Sequence, residues 1–168
     1  MATVDVYRWL VTLPSAVLAA FVAFVLMEPI TAATHRFVMH GVGRRLHRSH
    51  HVPTGARFER NDLFPVMFAS IVMLGMWAGF NSDGLEVLVP IGVGVTLYGA
   101  AYALVHDGWI HQRVGWFANR RVASLDRLAE AHRVHHRHNG APFGMLLPIV
   151  PRELRDRPVD CKKAPARF

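Results

Sequence analysis

The sequence predicts an all-α protein: an integral membrane helical bundle of about three transmembrane helices with a histidine-rich helical cap on the cytoplasmic side. Three observations predict it. Three apolar runs, about 10–27, 63–80 and 85–105, each have the length a helix needs to cross a hydrocarbon core of roughly 30 Å. The lysines and arginines are distributed unevenly around those runs. Ten of the eleven histidines fall into two copies of a single pattern, and every copy lies on the side of the runs that carries the positive charge.

Composition sets the outer bounds. At 168 residues the chain reads as one domain, 1–168. Hydrophobic residues make up 52% and mean hydropathy is +0.21, yet the formal charge is +7; with long apolar runs this points to a basic membrane protein. A single cysteine, Cys161, excludes an internal disulfide and any all-cysteine iron–sulfur or zinc cage.

The first run, Leu10 to Met27, contains no acidic or basic residue. A cleavable signal peptide is the alternative, but only Arg8 supplies an n-region and the run exceeds a usual h-region. Glu28 and Pro29 mark the exit, with a kink or restart expected before Thr31. The second run opens at Asn61 and Asp62, both good capping residues, with Pro65 in the first turn. It ends at Asn81-Ser82-Asp83-Gly84, where Asp83 and Glu86 resemble a capping box for the third run. Runs two and three thus form a tight hairpin. Gly75, Gly79, Gly92, Gly94 and Gly99 are read as close helix packing in lipid.

Of the nineteen Lys and Arg residues, six lie between runs one and two, twelve follow run three, and the hairpin turn has none. By the positive-inside rule, three spans place the N-terminus outside and the C-terminus in the cytoplasm of a multi-pass inner (cell) membrane protein. All ten patterned histidines then share the cytoplasmic side. Beyond the third run, Ser124 can cap a helix through SLDRLAEAHRVHH that Gly140 and Pro142 would stop. From about 148 to 168 an irregular tail is expected.

The histidines carry the chemistry. His35 and His40 form an H-x4-H pair, followed by His47, His50 and His51 as H-x2-HH; His106 and His111, then His132, His135 and His136, repeat both spacings. On a helix, i, i+3 and i+4 share one face, so each triplet presents three imidazoles together. Positions i and i+5 lie about 140° apart at 3.6 residues per turn, so a pair can straddle one metal or hand one ligand to each of two. Ten imidazoles are too many for one tetrahedral ion; two metals at about five nitrogens each is the natural count. Imidazole suits iron, copper, nickel and zinc, and an oxidative reaction would select a redox metal, iron first. Asp62, Asp107 and Glu130 are candidates to accept the second N–H of a bound imidazole. His138 lies outside both patterns and is read as a solvated residue or an outer partner of the site. Arg36, Arg48, Arg133 and Arg137 are read as headgroup contacts or solvated charges.

The four-box order resembles that of the membrane di-iron hydroxylases of the fatty acid hydroxylase and sterol desaturase superfamily. More narrowly, HRFVMHG, LHRSHH, FERNDLFPVMFA, VHDGWIHQR and AHRVHH, within about 30–150, are similar to the bacterial β-carotene hydroxylases. That resemblance implies two Fe2+ ions held by the ten histidines, O2 as co-substrate, and hydroxylation at carbon 3 of β-ionone rings, from β-carotene through β-cryptoxanthin to zeaxanthin in xanthophyll biosynthesis. Electrons would come from outside through a ferredoxin or an NAD(P)H reductase, because the chain has no flavin or nicotinamide fingerprint. The basic face would attract an acidic ferredoxin-type donor. Three rival readings are a fatty acid or sterol hydroxylase or carotenoid ketolase on the same scaffold, a membrane metal transporter, and a b-type cytochrome. Transport sites place polar residues at the bilayer midplane, whereas these runs are nearly free of ionisable groups, and adjacent histidines such as His50 and His51 waste ligands in a haem site.

Overall fold

Every regular element of the computed structural model is helical, and it describes residues 6–52, 58–117, 119–147 and 149–155. Helix α1 spans Val6–Thr34 and continues without a break as a π turn over His35–Val42. A short helix α2, Arg44–His51, follows. A 3-10 turn at Arg60–Asp62 leads into α3, Leu63–Asn81. Helix α4, Leu88–Ala103, again ends in a π turn, Leu104–Ile110. After a 3-10 turn at Gly115–Phe117 come α5, Ala123–His138, and the four-residue α6, Arg152–Arg155. Three stretches, Leu13–Val42, Arg60–Asn81 and Leu88–Ile110, are long and apolar enough to cross a membrane.

Chain contacts divide the protein into two units. One comprises Met1–Met27 and Pro65–Gly99, the other Glu28–Phe64 and Ala100–Phe168. The first is built by close approach of apolar helices. A Cβ on Gly94 would lie 2.1 Å from the Ala20 carbonyl oxygen, and one on Gly92 would lie 2.3 Å from Met76 Cγ. Small residues here let backbones meet where lipid offers no hydrophobic gain for association. Gly79 likewise packs against Val89, while Gly75 and Gly99 face open space. The outward faces are apolar: Phe21, Ile71, Met73, Leu74, Trp77 and Phe80 are all exposed, as a lipid-facing surface requires.

The second unit carries the histidines. Its apolar core joins Trp109, Ile110, Ala129 and Met145, with Tyr102, Val105, Phe117, Leu125 and Leu146 packed around them. Each such side chain, once buried, contributes about 1.5–3 kcal/mol, enough to set the second π turn, α5 and the 143–147 segment against one another. Phe64, only 5% exposed, lies against Gly43, where a Cβ would come within 2.7 Å of its ring.

Several local expectations change. Helix α1 continues through Pro29 without a restart before Thr31; a proline in a membrane-length helix is tolerated where neighbouring groups satisfy the freed backbone. Helix α4 starts at Leu88, after turns at 85–87, so Asp83 and Glu86 do not frame it as a capping box. Pro90, which lacks an N–H, then falls in its first turn, where that donor is not needed. The hairpin turn is made by Gly84 at φ 84°, a conformation glycine adopts without a steric cost. Ser124 lies inside α5 and makes no cap bond. Val122 takes the N-cap position, and the helix closes on Asn139 in the left-handed region, whose N–H donates to the His135 carbonyl at 2.8 Å. Of the expected 148–168 tail, Arg152–Arg155 forms a turn of helix, and Cys161 lies outside the described residues.

Candidate metal centre

His35 and His40 lie in the first π turn, and His106 lies in the second with His111 as its C-cap. In a π turn the backbone bond closes i to i+5, and the His111 N–H donates to the His106 carbonyl at 2.9 Å. Residue i+5 is therefore brought nearer to residue i than the roughly 140° of an α-helix would allow, and the ring centroids of the two pairs lie 5.1 and 4.5 Å apart. Each pair accordingly delivers both imidazoles to one place. Gly41 interrupts the helical geometry inside the first π segment, at φ −99°, ψ −113°.

The triplets behave in the opposite way and split. His47 and His51, at i and i+4 of α2, join His35, His40 and His135 in one group whose nearest ring nitrogens all lie within 4.8 Å of each other; call it group A. His50 joins His106, His111 and His132 in group B. His136 adds to group B, its Nε2 lying 2.8 Å from His132 Nε2 and 3.2 Å from His50 Nε2. Each group therefore takes one pair, the i and i+4 members of one triplet, and the i+3 member of the other. The duplicated sequence folds into a crossed arrangement, with His50 and His135 as the exchanged members.

Nitrogen meets nitrogen inside each group. His35 Nε2 and His51 Nε2 each approach His47 Nε2 to 3.1 Å, and His40 Nε2 approaches His135 Nε2 to 3.2 Å. In group B, His106 Nε2 lies 3.1 Å from His50 Nε2, and His111 Nε2 lies 3.0 Å from His132 Nε2. The proton positions decide what these contacts are. His35 Nδ1–H donates to the Phe143 carbonyl at 3.1 Å, His47 Nδ1–H to Asn61 Oδ1 at 2.8 Å, and His135 Nδ1–H to the Gly140 carbonyl. His106 Nδ1–H donates to Asp107 Oδ1 at 2.7 Å, and His50 Nδ1 is 3.5 Å from Glu59 Oε2. An imidazole with its proton on Nδ1 presents a bare lone pair at Nε2. Facing lone pairs repel unless a cation lies between them. Two nitrogens each about 2.1 Å from one ion, at right angles, would be about 3.0 Å apart, which is the spacing seen. The donor set fits a metal ion in each group.

Burial and like neighbours disfavour the charged form at His47, His51, His111, His132, His135 and His136. The imidazoles of His111 and His135 are pushed down to about 3 and that of His47 to about 4, chiefly by desolvation. His51 falls to about 2, from desolvation and then from His135 and its other neighbours. His132 and His136 are lowered in the same direction for the same reasons. Burial penalises the charged form, and a neutral imidazole is the form that ligates. Beside group A an open groove of about 370 Å³ reaches His40, His47, His51 and His136, with Arg44, Arg45 and Arg48 at its rim.

All ten patterned histidines thus come together. Of the expected outer partners, Asp107 touches His106. Asp62 instead forms a two-pronged pair with Arg113 at 2.7 Å on both prongs and accepts the Glu59 N–H at 3.0 Å; through Arg113, 3.8 Å from Asp107, it braces the Asp107 carboxylate indirectly. Glu130 pairs with Arg133 on the exposed face of α5, and His138 joins neither group. Asn61 and Glu59 were not singled out by the histidine spacing; both belong to the FERND segment that follows the first triplet. The Phe143 and Gly140 carbonyls leave no side-chain signature at all.

Two groups of clustered imidazoles in a helical chain with three membrane-length helices define the class: a membrane protein with histidine groups able to hold metal. Residues 20–154 match the fatty acid hydroxylase family, and the chain belongs to it. It is 42% identical to the beta-carotene hydroxylase of Pseudescherichia vulneris over 142 residues, 82% of this chain and 80% of that one. With the beta-carotene hydroxylase of Pantoea ananas it shares 44% identity over 133 residues, 77% and 75% of the two chains. A chloroplastic beta-carotene hydroxylase of Capsicum annuum is 38% identical over 82% of this chain and 44% of its own length. No solved structure matches the chain.

Proposed function

We propose that the chain is a β-carotene 3-hydroxylase, converting β-carotene through β-cryptoxanthin to zeaxanthin. One observation carries the reading: two groups of clustered imidazole nitrogens, with His35, His47, His135 and His106 fixed by acceptors at Nδ1, in a chain more than 40% identical to bacterial beta-carotene hydroxylases across most of its length. All ten patterned histidines serve as ligands, five nitrogens to each ion. Two iron ions there would supply the activation of O2 for insertion of one oxygen atom into a ring C–H bond.

The residues of the chain do the rest. Asn61, Asp107 and the Phe143 and Gly140 carbonyls hold ring protons on Nδ1 and so keep Nε2 available. The fully buried His135 and the nearly buried His106 and His132 keep bulk water from the inner faces of the groups. Electrons arrive from a ferredoxin-type donor or NAD(P)H reductase, attracted by the arginines at the rim of the groove. The exposed apolar helix faces keep the chain in the lipid where a carotenoid dissolves. In this reading 1–168 works as a single hydroxylase domain of the inner membrane, with the N-terminus outside and the histidines on the cytoplasmic side.

Expression in cells that accumulate β-carotene, followed by pigment chromatography, tests the proposal. New zeaxanthin and transient β-cryptoxanthin are expected. Unchanged β-carotene, with the protein in the membrane and a working reductant supply, would overturn the substrate and redirect the search to fatty acids and sterols.

A further inference from the structure

Glu28 lies on α1, seven residues before His35, on a helix otherwise apolar from Leu13 to Ala33 apart from Ser15, Thr31 and the ring of Pro29. Its carboxylate accepts three consecutive backbone N–H groups from the other end of the chain. Oε1 receives Met145 at 2.9 Å and Leu146 and Leu147 at 3.1 Å; Oε2 receives Leu146 at 3.0 Å. Successive N–H groups turned to one side form an anion-binding concavity, and a charged acceptor makes each bond roughly twice as strong as a neutral one. The approach is tight: a Cβ on Gly144 would lie 2.8 Å from Glu28 Oε1.

The segment held in this way carries the fixtures of group A. The Phe143 carbonyl accepts from His35 and the Gly140 carbonyl from His135. The Phe143 ring stands edge-on to His35, His40 and His135, with centroids 5.4–5.6 Å apart. Met145, 3% exposed, anchors the segment's other side in the core. Among the described contacts, none joins residues 140–144 to a histidine of group B.

We propose that Glu28 is a positioning residue for group A. By clamping the 145–147 amides it fixes the two upstream carbonyls that orient His35 and His135, and so sets the affinity of one metal position and not the other. The inference rests on the metal-binding reading above.

A two-site Co2+ titration of the purified full-length protein in detergent, against a competing chelator, tests it. The wild type should bind two ions. Glu28→Ala should weaken one binding constant by about 10- to 100-fold, the usual cost of losing an outer support, and leave the other unchanged. Glu28→Gln retains an acceptor oxygen and should lose less. Gly144→Ala should weaken the same constant from the loop side with α1 untouched. Combined with His135→Ala, Glu28→Ala should add little; combined with His50→Ala, its effect should persist in full. Unchanged constants in Glu28→Ala and Gly144→Ala, or both constants falling together, would overturn the clamp. If the alanine variants do not fold, Glu28→Gln decides by the same criterion. A wild type that binds fewer than two ions would overturn the metal reading itself, a separate result.

Discussion

Group A and group B offer metals the same donor atom and differ in what stands behind it. The histidines described in group A lean on neutral acceptors: two backbone carbonyls and the Asn61 amide. In group B, His106 leans on a carboxylate, Asp107, while the Glu59 carboxylate stands 3.5 Å from His50 Nδ1 without a hydrogen bond to it. A carboxylate at Nδ1 raises the basicity of Nε2 more than a carbonyl does, so in the proposed metal reading His106 would be a stronger donor than the carbonyl-backed His35 and His135. The sequence duplication made the ligands nearly symmetric, yet it did not duplicate their support. That asymmetry separates two otherwise matched positions.

The largest effects come from the imidazoles themselves. Alanine at His47, His50, His51, His132, His135 or His136 should abolish zeaxanthin formation while leaving the protein in the membrane. The crossed members sharpen the comparison. His135→Ala should remove metal from group A although it sits on α5, and His50→Ala should remove it from group B although it sits on α2. Metal content and two-site titration read both. If each triplet's variants instead emptied one and the same position, the crossing would be wrong.

Next in size are the supports. Asp107→Asn replaces a charge-assisted bond with a neutral one and should weaken group B by about 10- to 100-fold. Asn61→Ala removes a neutral acceptor from His47 and should weaken group A by the lower end of that range. The same titration checks it, and equal losses at both positions would erase the distinction between neutral and charged backing.

The membrane helices, the four boxes and the gathering of ten imidazoles were legible because hydropathy and spacing are one-dimensional properties. Helical triplets on one face followed directly from 3.6-residue periodicity. The partition between groups did not. It depends on π turns at 35–42 and 104–110, and nothing in HRFVMHGV or LVHDGWI marks a hydrogen bond lengthened by one residue. Asp107 was found because it adjoins His106 in sequence. The Phe143 and Gly140 carbonyls were not, because a backbone acceptor has the same identity at every position and its partner lies 108 residues away for His35. Glu28 read as the end of a helix for the same reason: its partners are amides 117–119 residues distant.

Acid should act on both groups more gently than substitution. An unfolded histidine takes up its proton near 6.5, whereas folded His47 does so only near 4, and His111 and His135 near 3. Between those limits the unfolded chain binds more protons, so stability is complete above about 6.5 and is lost progressively as pH falls toward 3. The thermal midpoint of metal-free protein in detergent should therefore drop between pH 7 and pH 5. A midpoint that rises over this interval would mean that the folded rings are held protonated, which is incompatible with bare Nε2 lone pairs.

The smallest effect is expected where sequence proximity suggested a support that the fold does not build. Glu130 precedes His132 by two residues, yet its carboxylate turns outward to Arg133, and both side chains are about half exposed, at 54% and 52%. An exposed pair of this kind is worth about 0.3–0.5 kcal/mol. Glu130→Ala should thus leave both metal affinities and the hydroxylation rate within about twofold of wild type, since 0.4 kcal/mol is a factor of about two in an equilibrium constant. His138→Ala, on a residue that joins neither group, should behave alike. A tenfold loss of metal at one position in either variant would mean that α5 supplies an acceptor to group B from its outer face. The contrast between carboxylate-backed and carbonyl-backed imidazoles would then extend beyond Asp107.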